Sequence, residues 1–140
     1  MGVRITPVLM LCAAATLAAC STLPRMSDAE RLALYTSHAG PPVDDVRYTS
    51  PIGWERVDDQ HVVINMRPRE SYLLTVDGPC LDWGSAAPTL SVETRTPMRL
   101  TTGFDRIHVA ESPVSCRIQQ IRLVDMVAVR QAREAMAAGH

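Results

Sequence analysis

From Val43 onward apolar residues recur at every second position, and Pro or Gly interrupts them about every eight to twelve residues. A chain patterned this way is committed to consecutive short antiparallel strands, each turning one side towards a shared core. Residues 46–49, 54–57, 61–66, 72–76, 89–94, 98–102, 107–109 and 116–123 are the candidate strands. In the last of these, Ile118 and Ile121 are three apart, so either a bulge lies near Gln119-Gln120 or Ile118 faces the other side. Helical spacing marks the two ends. Ser27-Asp28-Ala29-Glu30 is a capping box, and Leu32, Tyr35 and Ala39 predict a short amphipathic helix that Gly40-Pro41-Pro42 stops. Its apolar stripe is narrow, so packing on the domain is favoured over lying on a membrane. Asp125 predicts a second cap, for a helix through about Ala137. Its stripe is Met126, Val129 and Met136, and Arg130 and Arg133 fall towards the carboxyl end, where cations are favoured. The expected class is α+β, mainly antiparallel β: a small sheet or partly open barrel of about five to seven strands, with an N-terminal and a C-terminal helix.

The strongest strand pair is 61–66 with 72–76. A five-residue loop, Arg67 to Ser71, sets Met66 opposite Tyr72, Ile64 opposite Leu74 and Val62 opposite Val76, which makes one face wholly apolar. The other face then carries Asn65 and Leu73, Val63 and Thr75, and His61 and Asp77, a mixed outer surface. Asp77-Gly78-Pro79-Cys80 ends the second strand, and 81–88 reads as irregular, with Trp83 and Gly84 folding back over the sheet.

The first twenty residues carry an address. Arg4 opens an uncharged apolar run from Ile5 to Ala19, the build of an export signal, and Leu17-Ala18-Ala19-Cys20 is similar to a bacterial lipobox. An ordinary cleavage site wants a small residue three places before the cut, where Leu17 stands. The run of about fifteen residues falls short of the twenty or so of a spanning helix, so a retained anchor is the weaker alternative. Met1-Gly2-Val3-Arg4-Ile5-Thr6 fits a myristoylation pattern, which an export signal contradicts. The expected organisation is a signal peptide, 1–19, removed; a lipidated tether, 20–26; a single periplasmic globular domain, 27–137; and a tail, 138–140. Ser21 after the lipid-bearing Cys20 resembles the choice for the outer membrane, since Asp is the known retention signal at that place.

Charge and cysteines agree with that address. With Arg4 gone from the 14 basic residues, the 15 acidic ones leave the mature chain at about −2, and its Arg residues are scattered. That balance gives no electrostatic footprint for nucleic acid. Of four Cys, Cys12 departs with the signal and Cys20 takes lipid, which leaves Cys80 and Cys116 as an even pair in an exported chain, most simply a disulfide.

The order of lipobox, Leu23-Pro24-Arg25, Asp28-Ala29-Glu30-Arg31, Arg67-Pro68, Tyr72-Leu73-Leu74, Gly78-Pro79-Cys80, Phe104-Asp105 and Cys116-Arg117-Ile118 resembles a family of bacterial lipoproteins known only as a domain of unknown function. The resemblance covers nearly the whole mature chain. It supports the envelope address and the paired Cys, and it implies no catalytic residue.

The chemical candidates are modest. His61 and His108 on neighbouring strands lack a third ligand at a fixed short offset, so no metal and no cofactor are expected. Asp77, His61 and Ser71 suggest a Ser-His-Asp set, but Ser71 and His61 lie far apart along the hairpin and no nucleophile elbow accompanies them. Arg67, Arg69 and Arg117 are a candidate anion-binding patch, against which stands a solvated face paired with Glu70 and Asp77. The expectation is a non-catalytic module tethered to the membrane through Cys20, docking an envelope protein near the outer membrane. The alternative is a small-ligand or lipid-binding domain, or a weak hydrolase, using the concave side of the sheet. A filled core with an exposed apolar patch favours the first, a buried polar pocket the second.

Overall fold

The structure, a computed structural model, describes residues 25–82, 89–110 and 112–139. The expected signal peptide, Cys20, most of the tether, the Trp83-Gly84 fold-back and the last residue of the tail lie outside the described residues. Helix α1 spans Asp28–Ser37 and its capping box forms as expected: Glu30 N–H donates to Ser27 Oγ at 3.2 Å, and Ser27 N–H donates to the Glu30 carboxylate at 2.8 Å. Ala39, expected on the helix, begins strand β1, Ala39–Val43. Gly40-Pro41-Pro42 therefore does more than stop a helix. Prolines are tolerated there because β1 pairs with one neighbour only, through a register that is irregular between Ala39 and Pro42.

Eight further strands follow: β2 Asp45–Arg47, β3 Gly53–Arg56, β4 His61–Arg67, β5 Glu70–Val76, β6 Leu90–Glu93, β7 Arg99–Thr101, β8 Arg106–Val109 and β9 Ser115–Val124. The chain closes with helix α2, Met126–Ala138, whose Asp125 cap accepts from the N–H groups of Val127 and Ala128. The main sheet runs β3-β4-β5-β9-β8-β6 with β1 also on β9, and it curls into a half-barrel; β2 and β7 form a separate two-stranded ribbon. All pairings are antiparallel. The fold is thus α+β with a helix at each end, as expected. Strand β9 bulges at Gln119, since Thr75 pairs with Gln120 but Val76 with Ile118. That extra residue lets Ile118 and Ile121 both point into one core.

The β4–β5 register differs from expectation by two residues. Ile64 lies opposite Tyr72 and Val62 opposite Leu74, and the loop is the two-residue turn Pro68-Arg69 with Met66 as an extra residue beside it. A shift of two preserves which side each residue faces, so the grouping stands while the partners change. Val62, Ile64, Met66, Tyr72, Leu74 and Val76 do share one buried face, lining the inside of the curl with Leu100, Ile107, Ile118 and Ile121.

The opposite face is where the sequence reading fails. Val63 is fully buried and Leu73 is 2% exposed, packed with Leu34 and Tyr35 of α1, Val129 of α2, Val57 and Val124. Both helices thus cover the outside of the sheet, which the mixed face of His61, Asn65 and Asp77 concealed. On α2, Val129 is 1% exposed and Ala132 packs beside it, whereas Met136, expected in the stripe, is 43% exposed. Cys80, just beyond β5, is bonded to Cys116 near the start of β9, with Cα atoms 5.9 Å apart and a sequence separation of 36. In the chain-entropy account a loop of that length contributes roughly 4 kcal/mol of stability.

Because β5 is buried on both faces, Leu73→Ala is expected to cost about 2 to 5 kcal/mol in urea unfolding, on a par with Leu74→Ala on the other face. A cost for Leu73→Ala below about 1 kcal/mol would show that the helices do not cover the sheet.

Candidate functional site

The residues singled out in the sequence do not assemble as expected. Arg67 and Arg69 stand at the β4–β5 turn, where Arg67 Nε lies 3.8 Å from a Glu70 carboxylate oxygen. Arg117 lies seven positions along β9 from Val124, the residue that pairs with Ser71 beside that turn, a separation of about 23 Å at strand spacing. The three therefore form no single patch. His61 Nδ1 is 2.7 Å from Asp58, Ser71 Oγ donates to Asn65 Oδ1 at 2.7 Å, and Asp77 accepts from the Arg117 N–H at 2.6 Å, so the Ser-His-Asp set is dispersed among structural bonds. His108 Nε2 pairs with Glu93 at 2.8 Å. Among the described residues no group of three or more His, Cys, Asp or Glu is placed to hold a metal.

A different cluster is built by the pairing of β6, β8 and β9. Glu93 lies opposite Arg106, and Arg106 opposite Arg117. Their neighbours Val92, Ile107 and Cys116 face the inner core, so by strand alternation these three project from the outside of the sheet. The segments before β7 and after it supply Arg95 and Phe104. They are held by Asp105, which is 1% exposed and whose carboxylate accepts from the N–H of Arg95 at 2.9 Å and of Thr101 at 2.6 Å. The Asp105 carbonyl also accepts from Ile118 N–H at 2.9 Å, and Gly103, with φ of 78°, donates to the Ile118 carbonyl at 2.7 Å. That backbone conformation favours glycine. One buried carboxylate thus ties the 95–105 segment to itself, and backbone bonds to Ile118 fix that segment against β9.

The result is a concavity of about 350 Å³ lined by Glu93, Arg95, Gly103, Phe104, Arg106 and Arg117. The Arg95 guanidinium lies 5.7 Å from the centroid of the Phe104 ring, and that ring, the chain's single phenylalanine, is 58% exposed. Arg106 is oriented by Ser115, donating from Nε to the hydroxyl at 2.9 Å and from Nη2 to the carbonyl at 3.1 Å. Sequence reasoning found Arg117 but missed Arg95 and Arg106. Only the β6-β8-β9 order brings them together, and the sequence does not state it.

A second missed cluster ties the helices to the sheet. Tyr35 donates its hydroxyl to Glu55 at 2.8 Å, and Arg133 Nη2 donates to Tyr35 Oη at 2.8 Å and to Glu55 at 2.7 Å. Arg133 also lies 5.3 Å over the Tyr35 ring. Because α2 continues to Ala138, Arg133 serves this interaction and not the helix end. Burial, reinforced by the Glu55 carboxylate, pushes the Tyr35 phenol well above its usual range. Burial and then Glu70, whose carboxylate accepts from Tyr72 Oη at 2.8 Å, push Tyr72 up to about 12.

For both tyrosines the folded state holds the proton more tightly than the unfolded chain. Their contribution is therefore complete below about pH 10 and is lost as pH rises towards and through the raised values. Stability is expected to fall steeply above about pH 10, and Tyr35→Phe should flatten that fall. Urea midpoints measured across this range, with phenolate absorbance as a second readout, check it; an unchanged slope in Tyr35→Phe would contradict it.

No curated protein and no solved structure matches the chain. A family model does match, over residues 3–140, nearly the full length, and so the protein belongs to the family of unknown function DUF6491.

Proposed function

We propose that the protein is a lipid-anchored module of the bacterial envelope, held at the outer membrane through Cys20 and acting by binding and not by covalent chemistry. The observation that carries this reading is the filled half-barrel. Val62, Ile64, Leu74, Leu100, Ile107, Ile118 and Ile121 are all fully buried inside the curl, so its concave side is occupied by the protein's own side chains. Working surfaces must then lie outside. One is a concavity of about 470 Å³ beside the start of α2, where Leu123 and Val127 are each 49% exposed and Arg69 and Arg130 stand at the rim. Apolar area bordered by two arginines, with Asp125 beside them, is the composition of a protein contact.

The membrane address rests on the uncharged run before Leu17-Ala18-Ala19-Cys20. Arg31 Nη2 donates to the Met26 carbonyl at 3.3 Å, so the domain takes hold of the chain by that residue. The few residues from Cys20 to Met26 span no more than about 20 to 25 Å, which keeps the domain near its bilayer. In the proposed setting Cys20→Ser abolishes lipid labelling and moves the protein from the detergent phase to the aqueous phase. Unchanged partition of that variant would overturn the anchoring.

A further inference from the structure

We propose that the cleft formed by Arg95, Arg106 and Arg117 beside Phe104 is a binding site for a phosphate group attached to an apolar or aromatic body. The warrant begins with the pairing of Arg106 directly opposite Arg117. Two like charges facing each other across antiparallel strands destabilise the sheet, and proteins ordinarily separate them or set a carboxylate between them. Here the carboxylate at hand is Glu93, opposite Arg106 on its other edge, so three cations share one acidic side chain in the cleft. One oxygen of that Glu93 carboxylate is already bonded to His108, and both oxygens of the buried Asp105 are taken by backbone N–H groups. Arg106 is held in place through Ser115, by its Nε and one terminal nitrogen, which among the described residues leaves the other terminal nitrogen uncommitted. The third cation, Arg95, comes from a loop that Asp105 pins, and it leans on an aromatic ring. A site of three guanidinium groups, one of them oriented by hydrogen bonds, is prepared for an anion at the point where that anion would relieve their mutual repulsion.

The chemistry selects among anions. A carboxylate offers two oxygens and is satisfied by one guanidinium fork, whereas a tetrahedral phosphate offers three and carries up to two charges, which suits a cleft lined by three guanidinium groups. Phe104 extends the recognition beyond the charge: an aromatic face 58% exposed next to the cations is a shelf for the body that carries the phosphate. A soluble organophosphate and a lipid headgroup share this chemistry. The site lies on the outside of the sheet, apart from the concavity at Leu123 and Val127, so it stands whether or not the protein docks a partner there.

The test is a titration of the oxidised domain, followed by NMR shifts of the Arg95, Phe104 and Arg117 backbone amides. The probes are inorganic phosphate, phenyl phosphate, and phosphatidylcholine vesicles with and without phosphatidic acid. Saturable shifts with phenyl phosphate, tighter than with inorganic phosphate, are expected. Arg117→Ala and Arg95→Ala should each weaken binding about tenfold, as the loss of one charge-assisted hydrogen bond does. Arg99→Ala, which removes an exposed arginine paired with Asp45 outside the cleft, should leave it unchanged. Should Arg117→Ala fold poorly, Arg117→Gln, checked by its intact disulfide, supplies the same comparison. Binding confined to phosphatidic acid vesicles and lost in Arg117→Ala would support the site and name the lipid as its source. No saturable shift with any probe, or equal binding by the arginine variants and wild type, would overturn the proposal.

Discussion

Strand β9 carries hydrogen bonds on both of its edges, and most of the molecule is arranged by that fact. At Ile121 the strand pairs with Leu74 of β5 on one side and with Val43 of β1 on the other, and further back its Cys116 pairs with Ile107 of β8. A ten-residue strand with partners along both edges has few backbone groups left for water, and its apolar side chains Ile118, Ile121 and Val124 are buried. The inner face is covered by the curl of the sheet itself. The outer face at the Val124 end, together with Val63 and Leu73 of its neighbours, is covered by α1 and α2. The bulge at Gln119 and the bond from Cys80 to Cys116 act on the same strand, one adjusting which residues face inward and the other tying its beginning to the chain that leaves β5.

The helices reach only part of the outer surface, and the division between covered and open sheet decides where polar chemistry appears. Under the helices Tyr35 bonds with Glu55 and Arg133, a cluster in which the cation is balanced by a carboxylate and the phenol is fully buried. Beyond the helices, where β6, β8 and the start of β9 are bare, Arg106 and Arg117 face each other, and Glu93 is the one acidic side chain among the described residues lining their cleft. The same side chain therefore has opposite roles in the two places. Arg133 closes a contact within the protein, and Arg117 leaves one open.

Those features with a local cause were legible in the sequence. Both helix caps follow from one residue type at one offset, and the three-residue spacing of Ile118 and Ile121 marked an irregularity in β9 that the pairing resolves as a bulge. The face shared by Val62, Ile64 and Leu74 follows from alternation alone. Alternation fixes the face but is blind to a shift of two, which is why the pairing of Tyr72 with Ile64 had to be seen, along with the Pro68-Arg69 turn and the extra Met66 that produce it. The burial of Val63 and Leu73 was hidden for a related reason: their strands mix apolar with polar residues on that side, and only the docking of Tyr35 and Val129 makes the apolar ones core. The arginine cleft depends on strand order. Glu93, Arg106 and Arg117 are adjacent because β6, β8 and β9 are neighbours, and no spacing in the chain encodes that.

If β9 is the strand that the two cores share, its amides and those of β5 and β4 should be the last to open. Native-state hydrogen exchange measures this directly, residue by residue. The account predicts the slowest exchange in the paired amides of β4, β5 and the Ile118–Val124 part of β9, at rates set by global unfolding. The ribbon of β2 and β7 and the edge strand β1 should exchange through smaller, local openings. Exchange in β5 and β9 as fast as in β2 and β7 would contradict a sheet organised about β9 and its neighbour β5.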